Sequence, residues 1–239
     1  MKKNSPRGIS LMECLIGLSL SLIVILMALG FFNAARTLFF KLKEAEEEDL
    51  AAMAAVDKMR VDSLQAGRGL LDPMELELMD GLSVGGGELT IFSVEKRLEL
   101  VEDPVPGQTR ISFTPAEGLN KGKSICFFSK GYGEVTSIAS SEQSSVILSG
   151  PLIHSYTRGL CEAVLLEKVR IFLDLKTGII RRAVNAASAQ PLLENVRSMS
   201  LDFDKTVNLL RLEIISDSKM EKKYEFSVFP KNTALSTRN

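Results

Sequence analysis

The N-terminus constrains this chain more than any other part of it. Lys2, Lys3 and Arg7 precede Gly8, and an apolar run then extends from Ile9 to Phe32 with Glu13 as its only charge. About 24 residues at 1.5 Å each make about 36 Å of helix, enough to cross a hydrocarbon core of about 30 Å with some tilt. A carboxylate inside such a segment costs roughly 2.5 to 3.5 kcal/mol on insertion scales, so Glu13 marks a functional position by default. The run is too long for the apolar part of a secretory signal and ends in no small-residue cleavage site. Asn33, Ala34, Ala35 and Arg36 continue it without a helix breaker, so the segment reads as retained. Orientation is not set by the basic count, because Arg36, Lys41 and Lys43 follow the run as closely as three basic residues precede it.

The remaining length suits one soluble domain. A formal net charge of -1, no Trp and three Tyr argue against a nucleic-acid surface, which needs clustered basic and aromatic residues. Of the three cysteines, Cys14 lies within the apolar run and Cys126 and Cys161 lie beyond it. If the domain sits outside the cytoplasm, a Cys126–Cys161 disulfide would close a loop of about 35 residues, worth roughly 3 to 4 kcal/mol. The alternative is two buried free thiols acting as small hydrophobes.

The sequence Gly8-Ile9-Ser10-Leu11-Met12-Glu13 resembles the type IV prepilin signal. The resemblance implies cleavage after Gly8 by a membrane prepilin peptidase, N-methylation of Ile9, and Glu13 as the fifth mature residue. It also implies that Glu13 sets assembly register by meeting the new α-amine of a neighbouring subunit, since a carboxylate in low dielectric is tolerable when a cation meets it. Two departures stand out. Ile9 occupies a position where Phe or Met is more usual, and Gly30 lies where many major pilins carry a Pro that kinks the helix. The plainer reading is a single-pass anchor whose Glu13 snorkels or is protonated near the interface.

From Asn33 to about Gln65 there is no Gly or Pro, and helix formers dominate, so the helix should continue. Leu42, Ala45, Ala52, Met53, Val56, Met59 and Leu64 share one broad face at 100° per residue, with Glu44, Glu47, Glu48, Lys58 and Asp62 opposite. The acidic run Glu44 to Asp49 points in diverging directions and reads as a solvated face rather than a metal site. Gly67 and Gly69 end the helix, and Asp72-Pro73 reads as a turn.

After Pro73 short β-prone runs alternate with Gly, Pro, Asn and Ser clusters, the pattern of a mostly antiparallel β domain. Expected strands include 89–94, 110–113, 124–128, 134–138, 145–148, 165–174, 179–183, 196–204, 209–215 and 223–229. Gly178 is placed to supply a positive φ in a hairpin turn after Asp174. The segment from Phe172 through Arg182 to Gln190-Pro191-Leu192-Leu193-Glu194-Asn195-Val196 resembles the C-terminal half of PilW-type minor pilins and of J-type (GspJ-like) minor pseudopilins of type II secretion. That likeness covers about residues 165 to 239, and the Arg238-Asn239 ending leans toward the PilW type. The organisation expected is a leader 1–8, a transmembrane and assembly helix 9–32, its extracytoplasmic continuation 33–66, and a β-rich domain 67–239. The fold class is α+β and pilin-like, with a long N-terminal helix packed on a mostly antiparallel sheet.

Catalytic chemistry has little support. His154 has no second His or thiol at ligand spacing, so no metal site is expected. Gly122-Lys123-Ser124 ends like a phosphate-binding loop, but position 117, where the first Gly would be needed, is Glu. Gly85-Gly86-Gly87 reads as a turn, and Asp202 and Asp204 as solvated carboxylates on one strand face. Without a Ser/His/Asp or Cys/His set, no enzyme and no cofactor are expected.

The resemblance implies a minor pilin or pseudopilin subunit at or near a filament tip, in the inner membrane with its C-terminal domain extracytoplasmic. Its partners would be prepilin peptidase, sister minor subunits and the major subunit, the inner-membrane assembly platform and membrane lipid. The competing reading is a membrane-anchored extracytoplasmic binding protein or enzyme.

Overall fold

A computed structural model describes residues 11–114, 117–142, 145–217 and 221–234. The chain divides into two compact units, Met1–Ala51 and Ala52–Asn239.

The first unit is helical throughout its described length. It belongs to α1 (Leu11–Leu64), an unbroken helix of 54 residues. An 18-residue window of this helix reaches a mean hydropathy of 2.6 with none of it buried, so α1 is long and apolar enough to cross a membrane. Its few polar groups are satisfied locally: the Ser19 and Ser21 hydroxyls donate to the Leu15 and Gly17 carbonyls, each at 2.8 Å. With Gly rather than Pro at position 30, every backbone N–H remains available to the helix, and no kink-forming residue interrupts it.

The second unit begins with the last turns of α1, which bury Ala52, Ala55, Met59, Asp62 and Ser63. This corrects the face expected from the sequence: Met53 and Leu64 are exposed, while Asp62, placed on the polar side, is 8% exposed. Ala52, Ala55 and Ser63 let the helix backbone come close, and Met59 fills the space beside them. The helix stops where Gly67 and Gly69 take φ of 73° and 75°. A five-residue helix, α2 (Leu71–Glu75), follows where a turn was expected.

Among the described residues twelve strands follow: β1 (Leu82–Gly85), β2 (Glu88–Leu100), β3 (Arg110–Thr114), β4 (Ser124–Ser129), β5 (Tyr132–Ser141), β6 (Ser145–Leu148), β7 (Glu162–Asp174), β8 (Ile179–Val184), β9 (Gln190–Leu193), β10 (Val196–Asp204), β11 (Leu209–Ser216) and β12 (Lys223–Val228). All their pairings are antiparallel. The order β1-β2-β3-β6-β5-β4-β7-β8-β9, with an added β2–β7 pairing, closes β2, β3, β6, β5, β4 and β7 into a six-stranded barrel. β10, β11 and β12 form a separate sheet.

The two 13-residue strands β2 and β7 serve both the barrel and the open sheet beside it. A register break between Val94 and Lys96 makes this workable for β2. Before it, the odd residues Leu89 and Ile91 face the cluster beneath α1. After it, the even residues Leu98 and Leu100 face the barrel interior with Ile111, Phe113, Ile125, Phe127 and Leu165. One inserted residue moves the inward set of β2 from odd to even and keeps it in step with β7, whose odd residues Ala163, Leu165, Val169 and Ile171 serve both clusters.

The cluster beneath α1 joins Ala55 and Met59 to Leu89, Ile91, Val169 and Ile171 of the open sheet and to Leu210, Leu212 and Ile214 of β11. A third cluster packs Leu70 and Met74 against Cys126, Phe128, Val164 and Leu166. Thus β4 and β7 alternate between two buried faces, which explains the near-continuous apolar reading of Ser124–Ser129.

The hairpins β7–β8 and β10–β11 share one turn chemistry. Asp174 Oδ1 accepts from Lys176 N at 3.1 Å, and Asp204 Oδ1 accepts from Thr206 N at 2.9 Å. Four residues after each Asp, Gly178 and Asn208 take φ of 65° and 52°, and Ile180 and Leu210 then enter the core. Asn is one of the few side chains that tolerate the left-handed region, and here its Nδ2 donates to the Pro230 carbonyl, 22 residues away, at 2.8 Å.

Candidate functional site

Of the signal residues, Gly8 and Ile9 lie outside the described residues. Glu13 lies in the first turn of α1, where an acidic side chain favours the positive end of the helix dipole. Around and beyond it Met12, Leu15, Ile16 and Leu18 are exposed. From Cys14 to Ala35 no other charge occurs, so the carboxylate stands at one end of an uninterrupted apolar cylinder. This arrangement offers a surface of exposed apolar side chains with one carboxyl group at its end.

The two cysteines of the second unit are free thiols. Cys126 sits in the outer cluster with Val164 and Leu166, whereas Cys161 packs against the barrel interior with Ala163 and Leu165. Alternation along β7 puts these two environments on opposite faces of the barrel wall, so the loop-closing bond considered from the sequence is not formed. Burial pushes the Cys126 thiol up to about 12, and burial also raises Cys161. Neither thiol is activated as a nucleophile.

The remaining sequence candidates are structural. His154 packs its ring near those of Tyr132 and Tyr156, with centroids 5.1 and 6.5 Å away. Its backbone N–H donates to Glu134, which also accepts from Ile153 N and from the Tyr156 hydroxyl at 3.1 Å. This carboxylate ties the 151–156 loop to β5. Tyr156 is held protonated, first by burial and then by the Glu134 charge beside it. No sequence signal marked this cluster, because its members are 22 residues apart and none lies in a motif.

Lys123 spans from Gly122-Lys123-Ser124 to Glu95 at 2.8 Å, the residue at the β2 register break, and not to a phosphate cradle. Gly85 to Gly87 make the β1–β2 turn. Asp202 faces Arg211 at 3.8 Å. Asp204 is occupied by its own turn, and the Thr206 hydroxyl above all holds its carboxyl below the usual carboxylate range. The two do not converge, and no group of three or more metal-ligating side chains occurs among the described residues.

Compared with known families and with curated proteins, the sequence matches none. Among solved structures the chain is similar to the Gp54 tailspike of Acinetobacter baumannii bacteriophage AP22, solved in complex with A. baumannii capsular saccharide. The identity is 16% and the TM-score 0.28, over 32% of this chain and 15% of the tailspike chain. A score that low carries no argument about fold or function.

Proposed function

We propose that this chain is a minor pilin of a type IV pilus, cut after Gly8 by prepilin peptidase, methylated on Ile9 and assembled through its N-terminal helix near the filament tip. The observation that carries this reading is the basic stretch and Gly8 standing directly before the apolar run 9–32, which continues into the unbroken helix Leu11–Leu64 and holds one charge, Glu13. An ordinary anchor has no need of that carboxylate, whereas an assembling helix gains a register mark from it. The apolar half anchors the subunit in the inner membrane and packs with sister subunits, and the barrel and sheets form the extracytoplasmic head. This is a pilin-like plan with a closed barrel in its head. The head is suited to partner contacts, and no catalysis is assigned to it.

The test is co-expression with prepilin peptidase and a control prepilin, followed by mass analysis of the N-terminus. A mature chain beginning at N-methylated Ile9 is expected. An intact leader, in cells that process the control, would refute the reading. A minor pseudopilin of type II secretion would share the same processing and helix. Deleting the gene and scoring piliation against exoprotein release separates the two, with loss of piliation expected.

A further inference from the structure

Among the described residues the two sheets end in four edge strands, and three of these edges are blunted. β1 and β9 are only four residues long, and β9 also carries Pro191 and a register break opposite Ile180 and Arg181. β10 has a break between Val196 and Ser198, and its Val196 N–H is spent on the Gly178 carbonyl at 2.8 Å. β12 has none of these protections: Lys223–Val228 pairs with β11 in one unbroken register and contains no Pro.

The Ser216 N–H donates to the Lys222 carbonyl at 3.0 Å, so Tyr224, Phe226 and Val228, which continue that alternation, are the residues of β12 whose backbone bonds to β11. Lys223, Glu225 and Ser227 lie between them and turn their N–H and C=O groups outward, where no backbone group among the described residues meets them. Their side chains are exposed, whereas Tyr224 and Phe226 are half-buried against the cluster beneath α1.

We infer that this edge pairs antiparallel with the same edge of a second copy of the chain, with Lys223 of each copy opposite Glu225 of the other. Charge selects the register. Hydrogen bonding requires outward residues to oppose outward residues, so the possible registers differ by steps of two. Setting Glu225 against itself is repulsive, and setting it against Ser227 leaves its charge unmatched. Lys223 opposite Glu225 makes the same favourable pair twice about a twofold axis. Within one chain a single Lys223 ammonium serves two carboxylates, Glu213 at 2.9 Å and Glu225 at 3.1 Å, and the pairing brings a second ammonium to Glu225. Six residues of edge make an interface well below the roughly 1,200 Å² of a stable complex, so the pairing needs copies concentrated in one membrane by an anchor such as α1.

Disulfide trapping in membranes tests the pairing. The inferred register sets Glu221 of one copy opposite Ser227 of the other, whereas the two Ser227 residues stand about 20 Å apart. Two differently tagged full-length copies are co-expressed in a Cys14→Ser, Cys161→Ser background, one carrying Glu221→Cys and the other Ser227→Cys, and the membranes are mildly oxidised. The mixed dimer should form several-fold more than the dimer joined through position 227 alone. Lys223→Glu in both copies should cut it several-fold, and Lys223→Glu with Glu225→Lys in both should restore it. Glu225→Pro removes an outward N–H that β11 does not use, so it should abolish the mixed dimer while the unfolding midpoint stays near that of the parent. No mixed dimer, a 227-to-227 dimer of equal yield, no recovery on charge exchange, a folded Glu225→Pro variant that still cross-links, or trapping to a different protein alone would each overturn the inference. If Glu225→Pro does not fold, the charge exchange decides. The pairing needs only a shared membrane, so its failure leaves the pilin reading standing, and the N-terminal mass of chains co-expressed with prepilin peptidase judges that reading separately.

Discussion

Asp62, in the last turn of α1, and Arg182, on β8, form a bidentate ion pair across 120 residues of sequence. Arg182 Nε donates to Asp62 Oδ2 at 2.6 Å and Nη2 donates to Oδ1 at 3.2 Å. Lys58 adds a third contact at 3.1 Å. The side chains are 8% and 19% exposed, so water screens the pair little. It fixes the rotation of the helix end on the strands, where an apolar contact alone would leave the helix freer to roll. Arg182→Ala should destabilise the second unit by about 3 kcal/mol, because a nearly buried carboxylate loses its main partner. The double variant Asp62→Leu, Arg182→Met should recover most of that loss. Urea unfolding of the full chain in detergent, followed by near-ultraviolet circular dichroism, measures both.

Gly81 and Gly67 lie back to back beside β2. A Cβ on Gly81 would lie 2.7 Å from Gly67 Cα and 2.8 Å from Gly67 N. Those atoms are backbone and cannot turn aside, and Gly67 N is committed to the Phe92 carbonyl at 2.8 Å. Gly81→Ala should therefore cost about 2 kcal/mol or more in the same unfolding measurement. Gly150→Ala, with nothing within 4 Å of the new methyl and no positive φ, should leave the midpoint unchanged.

Alkali should unfold the second unit through two buried acids. The Cys126 thiol is pushed up to about 12 by burial, and the Tyr156 hydroxyl is raised as well, by burial and by Glu134. Each is an acid whose folded value exceeds its unfolded value. Above the unfolded value the unfolded chain binds fewer protons than the folded one, so stability falls as pH rises. The fall should begin near pH 9, the ordinary value for the thiol, and continue toward about 12. Tyr156→Phe removes one of the two groups and one hydrogen bond, so it should flatten the alkaline slope while costing about 1 kcal/mol at neutral pH. Unfolding midpoints at several pH values read both effects. At pH 8, a maleimide should label Cys126 only after denaturant is added.

Much of this architecture was legible from residue order. The alternation of Leu210, Arg211, Leu212, Glu213 and Ile214 resolves into a strand with Leu210, Leu212 and Ile214 buried. The absence of Gly and Pro from 33 to 65 resolves into helix ending at Leu64. Closure of the barrel was not legible, because it depends on β2 pairing with β7 some 75 residues later, and pairing partners leave no mark on local periodicity. Strand β2 also runs six residues past its expected end at Val94, through Glu95, Lys96 and Arg97, where three consecutive charged residues show no apolar alternation to read. Asp62 was misplaced for a related reason. A helical wheel sorts residues by polarity and cannot foresee an arginine arriving from a distant strand. The N-terminal helix shows the opposite case, since its signal is local: a basic stretch, a glycine, one carboxylate and an apolar run.

That local signal makes the role of Glu13 separable from processing. On the proposed processing the peptidase cuts between Gly8 and Ile9, four residues before Glu13, so Glu13→Ala should leave cleavage and methylation close to the unmutated level. The variant helix would be more apolar and would stay in the membrane at least as well, because a side chain costing roughly 2.5 to 3.5 kcal/mol on insertion has been removed. On the proposed assembly it would lack the carboxyl group that meets a neighbour's α-amine, so entry into filaments should fall sharply while the membrane pool grows. Glu13→Asp, which keeps the charge on a shorter stem, should recover part of the incorporation, whereas Glu13→Gln should behave like alanine. Quantifying the subunit in sheared filaments against the membrane fraction decides it. Normal incorporation of the alanine variant would remove the register role from Glu13 and leave the carboxylate as a tolerated charge at the membrane face.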